Sequence, residues 1–73
     1  MNEKIVNVMK EVFGVSAIAE TASQENLDKW DSLNHLNLIV GLEDEFGVTF
    51  EPEEIAEMKD YKAVEAMVNK KLA

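Results

Sequence analysis

Apolar residues recur at helical spacing in three stretches of the chain. In the first, Ile5, Val8, Met9, Val12 and Phe13 fall on one face at intervals of three and four, which predicts a helix over 2–13. Asn2 can cap the free N–H groups at its start, and Gly14 can take the left-handed conformation that ends it. The second stretch runs from about Ser32 to Phe46. At about 100° per residue, Leu33, Leu36, Leu38, Ile39, Val40, Leu42 and Phe46 cover more than half of its circumference. Asn34, Asn37, Asp44 and Glu45 share the remaining arc with Gly41. A surface helix needs a narrower apolar stripe, so this pattern predicts a central helix packed on several sides. Gly41 costs about 1 kcal/mol in a helix interior. Close packing against a neighbour and room for a ligand beside the helix both account for it, and both stay open at this point. Gly47 follows Phe46 and can end the helix. In the third stretch Asp60 caps a helix whose buried face is Tyr61, Val64, Met67, Val68 and Leu72. Lys70 and Lys71 sit at its C-terminal end, where positive charge is favoured.

Between these helices the period is lost. From Val15 to Trp30, polar residues are scattered among small apolar ones, and the expectation is a long ordered loop pinned by Val15, Ile18, Leu27 and Trp30. A loop this long in so short a chain is unusual and often functional. Val48 to Glu51 reads as a connector. Pro52 suits the first turn of a short helix, and Glu53, Glu54 and Glu57 favour its N-terminal half, with Ile55 and Met58 facing inward. No strand alternation or internal repeat interrupts this reading. The expected fold is all-α: one domain over 1–73, a small four-helix bundle of three longer helices and one short one, with a long first loop.

Composition narrows the function. Fifteen acidic against seven basic residues give a net charge of −8. That balance opposes a nucleic-acid grip, which needs clustered Lys and Arg, and it opposes an anionic membrane surface. There is no Cys and a single His, so no disulfide, thiolate site or multi-histidine metal site is expected. Setting Gly47 as the sixth residue of a calcium loop puts Leu42 first, where a carboxylate is required. No apolar run approaches the roughly 20 residues of a membrane span. A cytoplasmic monomer is the expectation.

The chemistry concentrates at Trp30-Asp31-Ser32-Leu33, where the long loop becomes the second helix. Asp and Ser are common helix caps, and capping alone accounts for them. The same geometry suits a phosphate ester on Ser32, since unpaired N–H groups and a partial positive charge stabilise an anion there by about 1 kcal/mol. His35, one turn on, completes an Asp-Ser-His trio suggestive of a hydrolase. A triad also needs an aimed base, an orienting acid and an oxyanion hole, and no Gly-x-Ser-x-Gly surrounds this serine. A partly buried histidine near the mouth of the bundle is the simpler reading, with tuning of a site or a partner as the other.

Asp31-Ser32-Leu33 opening a helix, followed by Leu42-Glu43-Asp44-Glu45-Phe46, Pro52-Glu53-Glu54-Ile55 and a terminal helix from Asp60 to Leu72, resembles the acyl carrier proteins. The resemblance extends over essentially the whole chain. It implies that Ser32 carries 4′-phosphopantetheine as a phosphodiester, added from coenzyme A by a phosphopantetheinyl transferase. The thiol of that arm would hold an acyl or aminoacyl group as a thioester. Asp31 would help position the serine, and Leu33 would face partners or the core. The implied function is delivery without catalysis: a tethered substrate is kept at high effective concentration. The implied partners are activating, condensing or transfer enzymes.

Two departures from that family pattern shape the expectation. Asn34 and Asn37 stand where fatty-acid carriers often place acids, and Trp30 replaces a small residue. Trp30 can pack against the helix start or lie beside the arm. The Trp-Asp-Ser-Leu-Asn form looks more like specialised stand-alone carriers. Acidic charge is shifted toward Glu43, Asp44, Glu45, Glu51, Glu53, Glu54 and Glu57, a stretch without a base. Asp44, Glu45, Glu53, Glu54 and Glu57, together with Leu33, are the candidate docking residues for basic partners. An unmodified acidic docking module is the alternative reading.

Overall fold

The computed structural model describes all 73 residues and places four helices along them: α1 (Glu3–Phe13), α2 (Ser32–Phe46), α3 (Pro52–Glu57) and α4 (Tyr61–Leu72). There is no β-strand, and the single bridge is an isolated antiparallel one between Ser23 and Asp60. Each helix end has the chemistry its sequence supplies. The Asn2 side chain accepts from the Lys4 and Ile5 N–H groups at 3.0 and 3.2 Å. Gly14 and Gly47 close α1 and α2 at φ 67° and 65°, a region other residues rarely enter. At α3, Pro52 occupies the first turn, and the Glu51 N–H donates to Glu54 Oε1 at 2.8 Å. Asp60 accepts from the Ala63 N–H at 2.7 Å to start α4.

The core is shared by Ile5, Met9 and Phe13 of α1, Leu38, Ile39 and Leu42 of α2, Met58 at the end of α3, and Tyr61, Val64, Met67 and Val68 of α4. The α1–α2 pair approaches closely because Gly41 has no side chain. A Cβ built there would lie 2.9 Å from Val8 Cγ1. Close packing is therefore the reason for this glycine.

Two expectations about burial are corrected. α2 is a wall of the bundle and is not packed on several sides. Leu33, Leu36 and Val40 are 69%, 56% and 64% exposed. No other element covers that face, so an arc wider than one buried side requires is left in water. Leu72, expected on the buried face of α4, is 53% exposed, because no other element covers the last turn.

The loop over 14–31 is ordered, as expected. Ile18, Ala22 and Trp30 are buried, and Val15 and Leu27 pack against the core. Its middle is fixed to the α3–α4 junction: the Gln24 N–H donates to the Lys59 carbonyl at 3.0 Å and the Tyr61 N–H to the Ala22 carbonyl at 2.9 Å. The Ser23 hydroxyl and Asn26 amide bond back to the loop's own backbone. Ala22 and Phe50 are buried without having been singled out by the sequence, since an isolated apolar residue has no period to announce it. Phe50 is held by a bond from its N–H to Glu43 Oε2 at 2.9 Å.

The start of the chain is tied to α4. The Asn2 N–H donates to the Tyr61 hydroxyl at 2.7 Å, and that hydroxyl donates to Glu65 Oε2 at 2.7 Å. Burial, and after it the bond to Glu65, raises the Tyr61 phenol above its ordinary value of 10.0.

Candidate functional site

Ser32 is the first residue of α2, and Asp31 is the residue that caps it. The Asp31 carboxylate accepts from the Asn34 N–H at 2.8 Å, and its carbonyl accepts from the His35 N–H at 2.8 Å. Capping is thus carried out by Asp31. The Ser32 hydroxyl makes no hydrogen bond to the protein and is exposed. The N–H groups of Ser32 and Leu33 stand in the first turn, where a helix offers them no internal partner. An exposed, unbonded hydroxyl beside two free donors at the positive end of a 15-residue helix fits a phosphodiester.

Behind the serine lies a fixed frame. Trp30, 2% exposed, packs its indole against Phe13 with ring centroids 5.2 Å apart. Its Nε1–H donates to His35 Nδ1 at 2.9 Å. His35 Nε2 meets the Ile55 carbonyl of α3 at 2.8 Å. An indole nitrogen only donates and a carbonyl only accepts, which assigns the neutral imidazole with its proton on Nε2. Both ring nitrogens are therefore engaged away from Ser32. No base is aimed at the hydroxyl, and the hydrolase trio is absent. The packing reading of Trp30 and the partly buried reading of His35 both hold.

In front of the serine, α2 presents Leu33, Leu36 and Val40 to solvent. Their spacing of three and four places them on one stripe that begins beside Ser32. Asn34 and Asn37 line one edge of it with an amide ladder: Asn37 Nδ2 donates to Asn34 Oδ1 at 3.1 Å, and Asn34 Nδ2 donates to the Lys29 carbonyl at 2.8 Å. Asp44 lies about 18 Å farther along the axis, at 1.5 Å per residue. The first three turns of the outer face are thus neutral and apolar, and charge begins only beyond them.

The candidate docking acids divide into two groups. Asp44, Glu45, Glu53 and Glu57 are exposed. Asp44 and Glu45 border a shallow groove with Glu11 of α1. Glu54 stands apart: its carboxylate accepts from the Glu51 N–H and pairs with Lys71 Nζ at 2.8 Å, leaving its side chain only 14% exposed. The Glu51 bond, followed by Lys71, holds it below the ordinary value of 4.5. It joins α3 to α4. The exposure of Leu36 and Val40 is not what the helical period predicts, which places both in the interior. The signal was present in the width of the apolar arc.

Residues 3–68 match the protein family described as phosphopantetheine attachment site. The solution structure of the holo acyl carrier protein from Geobacter metallireducens is similar to this chain, with 32% sequence identity and a TM-score of 0.86. The match covers 96% of this chain and 83% of that one. No curated protein sequence matches. The chain belongs to the phosphopantetheine-attachment family and is a member of the acyl carrier proteins. It is a non-catalytic carrier, and its prosthetic group is covalent 4′-phosphopantetheine.

Proposed function

We propose that Ser32 is the attachment residue and that the chain carries acyl or aminoacyl thioesters between enzymes of a specialised pathway, in the cytoplasm and as a monomer. The single observation behind this reading is the division of labour at the start of α2. Asp31 takes the cap, which leaves the Ser32 hydroxyl exposed and without a partner. When bound, the arm supplies a terminal thiol for thioester exchange. The protein's own part is to hold the serine at a rigid helix start, to offer the Ser32 and Leu33 N–H groups to the phosphodiester, and to orient partners.

For partner docking we infer a composite surface. The exposed stripe of Leu33, Leu36 and Val40 meets an apolar recess beside the partner's entrance. Asp44, Glu45, Glu53 and Glu57 meet basic residues farther off, which speeds and orients encounter. The partner classes are a phosphopantetheinyl transferase first, then activating, condensing or transfer enzymes.

The test is intact mass before and after incubation with coenzyme A, magnesium and a broad-specificity phosphopantetheinyl transferase. One phosphopantetheine on wild type, mapped to Ser32 and missing from Ser32→Ala, is the expected result. Ser32→Ala should keep the wild-type unfolding free energy to within roughly 0.5 kcal/mol, as is typical of surface changes, since the hydroxyl has no partner to lose. An adduct elsewhere, or none with several transferases on folded protein, overturns the assignment. The latter result would return the chain to the unmodified docking module.

A further inference from the structure

The chain of bonds from Trp30 through His35 to Ile55 has no part in the capping of α2. It joins three pieces: the turn two residues before Ser32, the first turn of α2, and the backbone of α3. α3 needs such a tie. None of its six residues is buried, and its side-chain anchors are half-buried Ile55 and the Glu54–Lys71 pair to α4. The bond from His35 to the Ile55 carbonyl is the one hydrogen bond between α2 and α3. A leucine would fill the same volume, but it would strand the indole N–H and leave the Ile55 carbonyl with only the longer bond, from the Met58 N–H at 3.3 Å. A buried polar relay fixes one geometry where an apolar contact allows several.

We propose that His35 is a positioning residue of the attachment site: its imidazole is a strut that sets the serine turn and α3 at one fixed spacing, so that a modifying or partner enzyme meets both as a single rigid surface. This rests on the reading of Ser32 as the attachment residue. The strut acts through place alone. It moves no proton, and it keeps exposed Glu53 and Glu57 in register with the serine more than twenty residues upstream in the chain.

The experiment compares full-length wild type with His35→Leu, His35→Gln, Trp30→Phe and a core control, Val68→Ala. Amide hydrogen exchange is read for α3 and α4, and the initial rate of coenzyme A-dependent loading is read against carrier concentration. In His35→Leu, exchange of the α3 amides should quicken about tenfold while α4 keeps its protection, as expected when one hydrogen bond worth about a factor of ten is lost. The apparent kcat/KM for loading should fall about tenfold, mostly through KM, because the surface is loosened and the hydroxyl is untouched. His35→Gln keeps an amide N–H for the Ile55 carbonyl and should recover most of both losses. Trp30→Phe should loosen the serine turn and spare α3. Val68→Ala should load at the wild-type rate at a temperature where it is folded.

Unchanged α3 exchange in His35→Leu overturns the strut. So does a Val68→Ala variant of equal thermal midpoint that loads as slowly as His35→Leu, because the effect is then general stability. If wild type itself accepts no arm, the attachment reading fails, and the exchange data alone decide whether the strut exists.

Discussion

Tyr61 serves two partners with one hydroxyl, and this makes it a sensitive single position. Tyr61→Phe strands the Asn2 N–H and releases Glu65. Urea unfolding at pH 7 should show a loss of about 1–2 kcal/mol. The raised phenol also fixes a sign. A group whose ionisation is postponed by folding stabilises the native state below its unfolded value and loses that contribution as pH climbs through and past 10.0. The gap between wild type and Tyr61→Phe should therefore narrow above about pH 10. A gap of constant width would show that the phenol titrates alike in both states. Ser32 is the opposite case at the same scale, with a hydroxyl that supports nothing in the fold and is free for chemistry.

Helix pairs set the next scale. At the α1–α2 crossing, Gly41→Ala gains about 1 kcal/mol of helix propensity. It also drives a methyl to 2.9 Å from Val8 Cγ1, on a β-branched side chain with little freedom to turn away. Overpacking of this kind costs about 1–3 kcal/mol, so the net should be a loss of about 1 kcal/mol in chemical denaturation. In a Val8→Ala background the clash is gone, and the same change should stabilise by up to about 1 kcal/mol. The α3–α4 pair is electrostatic in part. Glu54 is held below its ordinary 4.5, so its contribution is present above that pH and is lost as pH falls through the lowered value. Glu54→Gln should be less stable than wild type at pH 7, and the two thermal midpoints should converge as pH falls below the lowered value.

The helix ends were readable because Asn2, Gly14, Asp31, Gly47, Pro52 and Asp60 each answer a local backbone need. The exposure of Leu36 and Val40 was not readable. Periodicity states which residues share a face, but whether another element covers that face is a property of the assembled bundle. Glu54 shows the same limit. An exposed acid and an acid paired across helices look alike in a charge run. Trp30 and His35 were legible as packed residues, but the carbonyl of Ile55, twenty positions away from His35, leaves no mark in any side-chain pattern.

For the whole molecule, the net charge of −8 is unevenly spread. The outer face of α2 is neutral over its first three turns, and acids gather on the last turn of α2 and on α3. Reversing exposed Glu53 and Glu57 to Lys should leave the fold intact and slow the association of basic partners. Stopped-flow rates should show about a tenfold effect at low salt that shrinks as ionic strength rises. Leu36→Ser should behave differently, weakening binding through faster dissociation with little salt dependence. Equal salt profiles for the two variants would remove the distinction between an apolar and a charged half of the surface.

The fastening of the first loop bears on how proteases meet this protein. Eighteen residues without a helix would ordinarily be the first place to be nicked. Here Ala22 and Gln24 are bonded to the α3–α4 junction, and the carbonyl of Lys29 is held by the Asn34 amide. A protease that cuts after lysine must open that junction to seat the loop in its cleft. Cleavage at Lys29 should then follow the population of largely unfolded molecules, and resistance to digestion should rise and fall with the stability of α4.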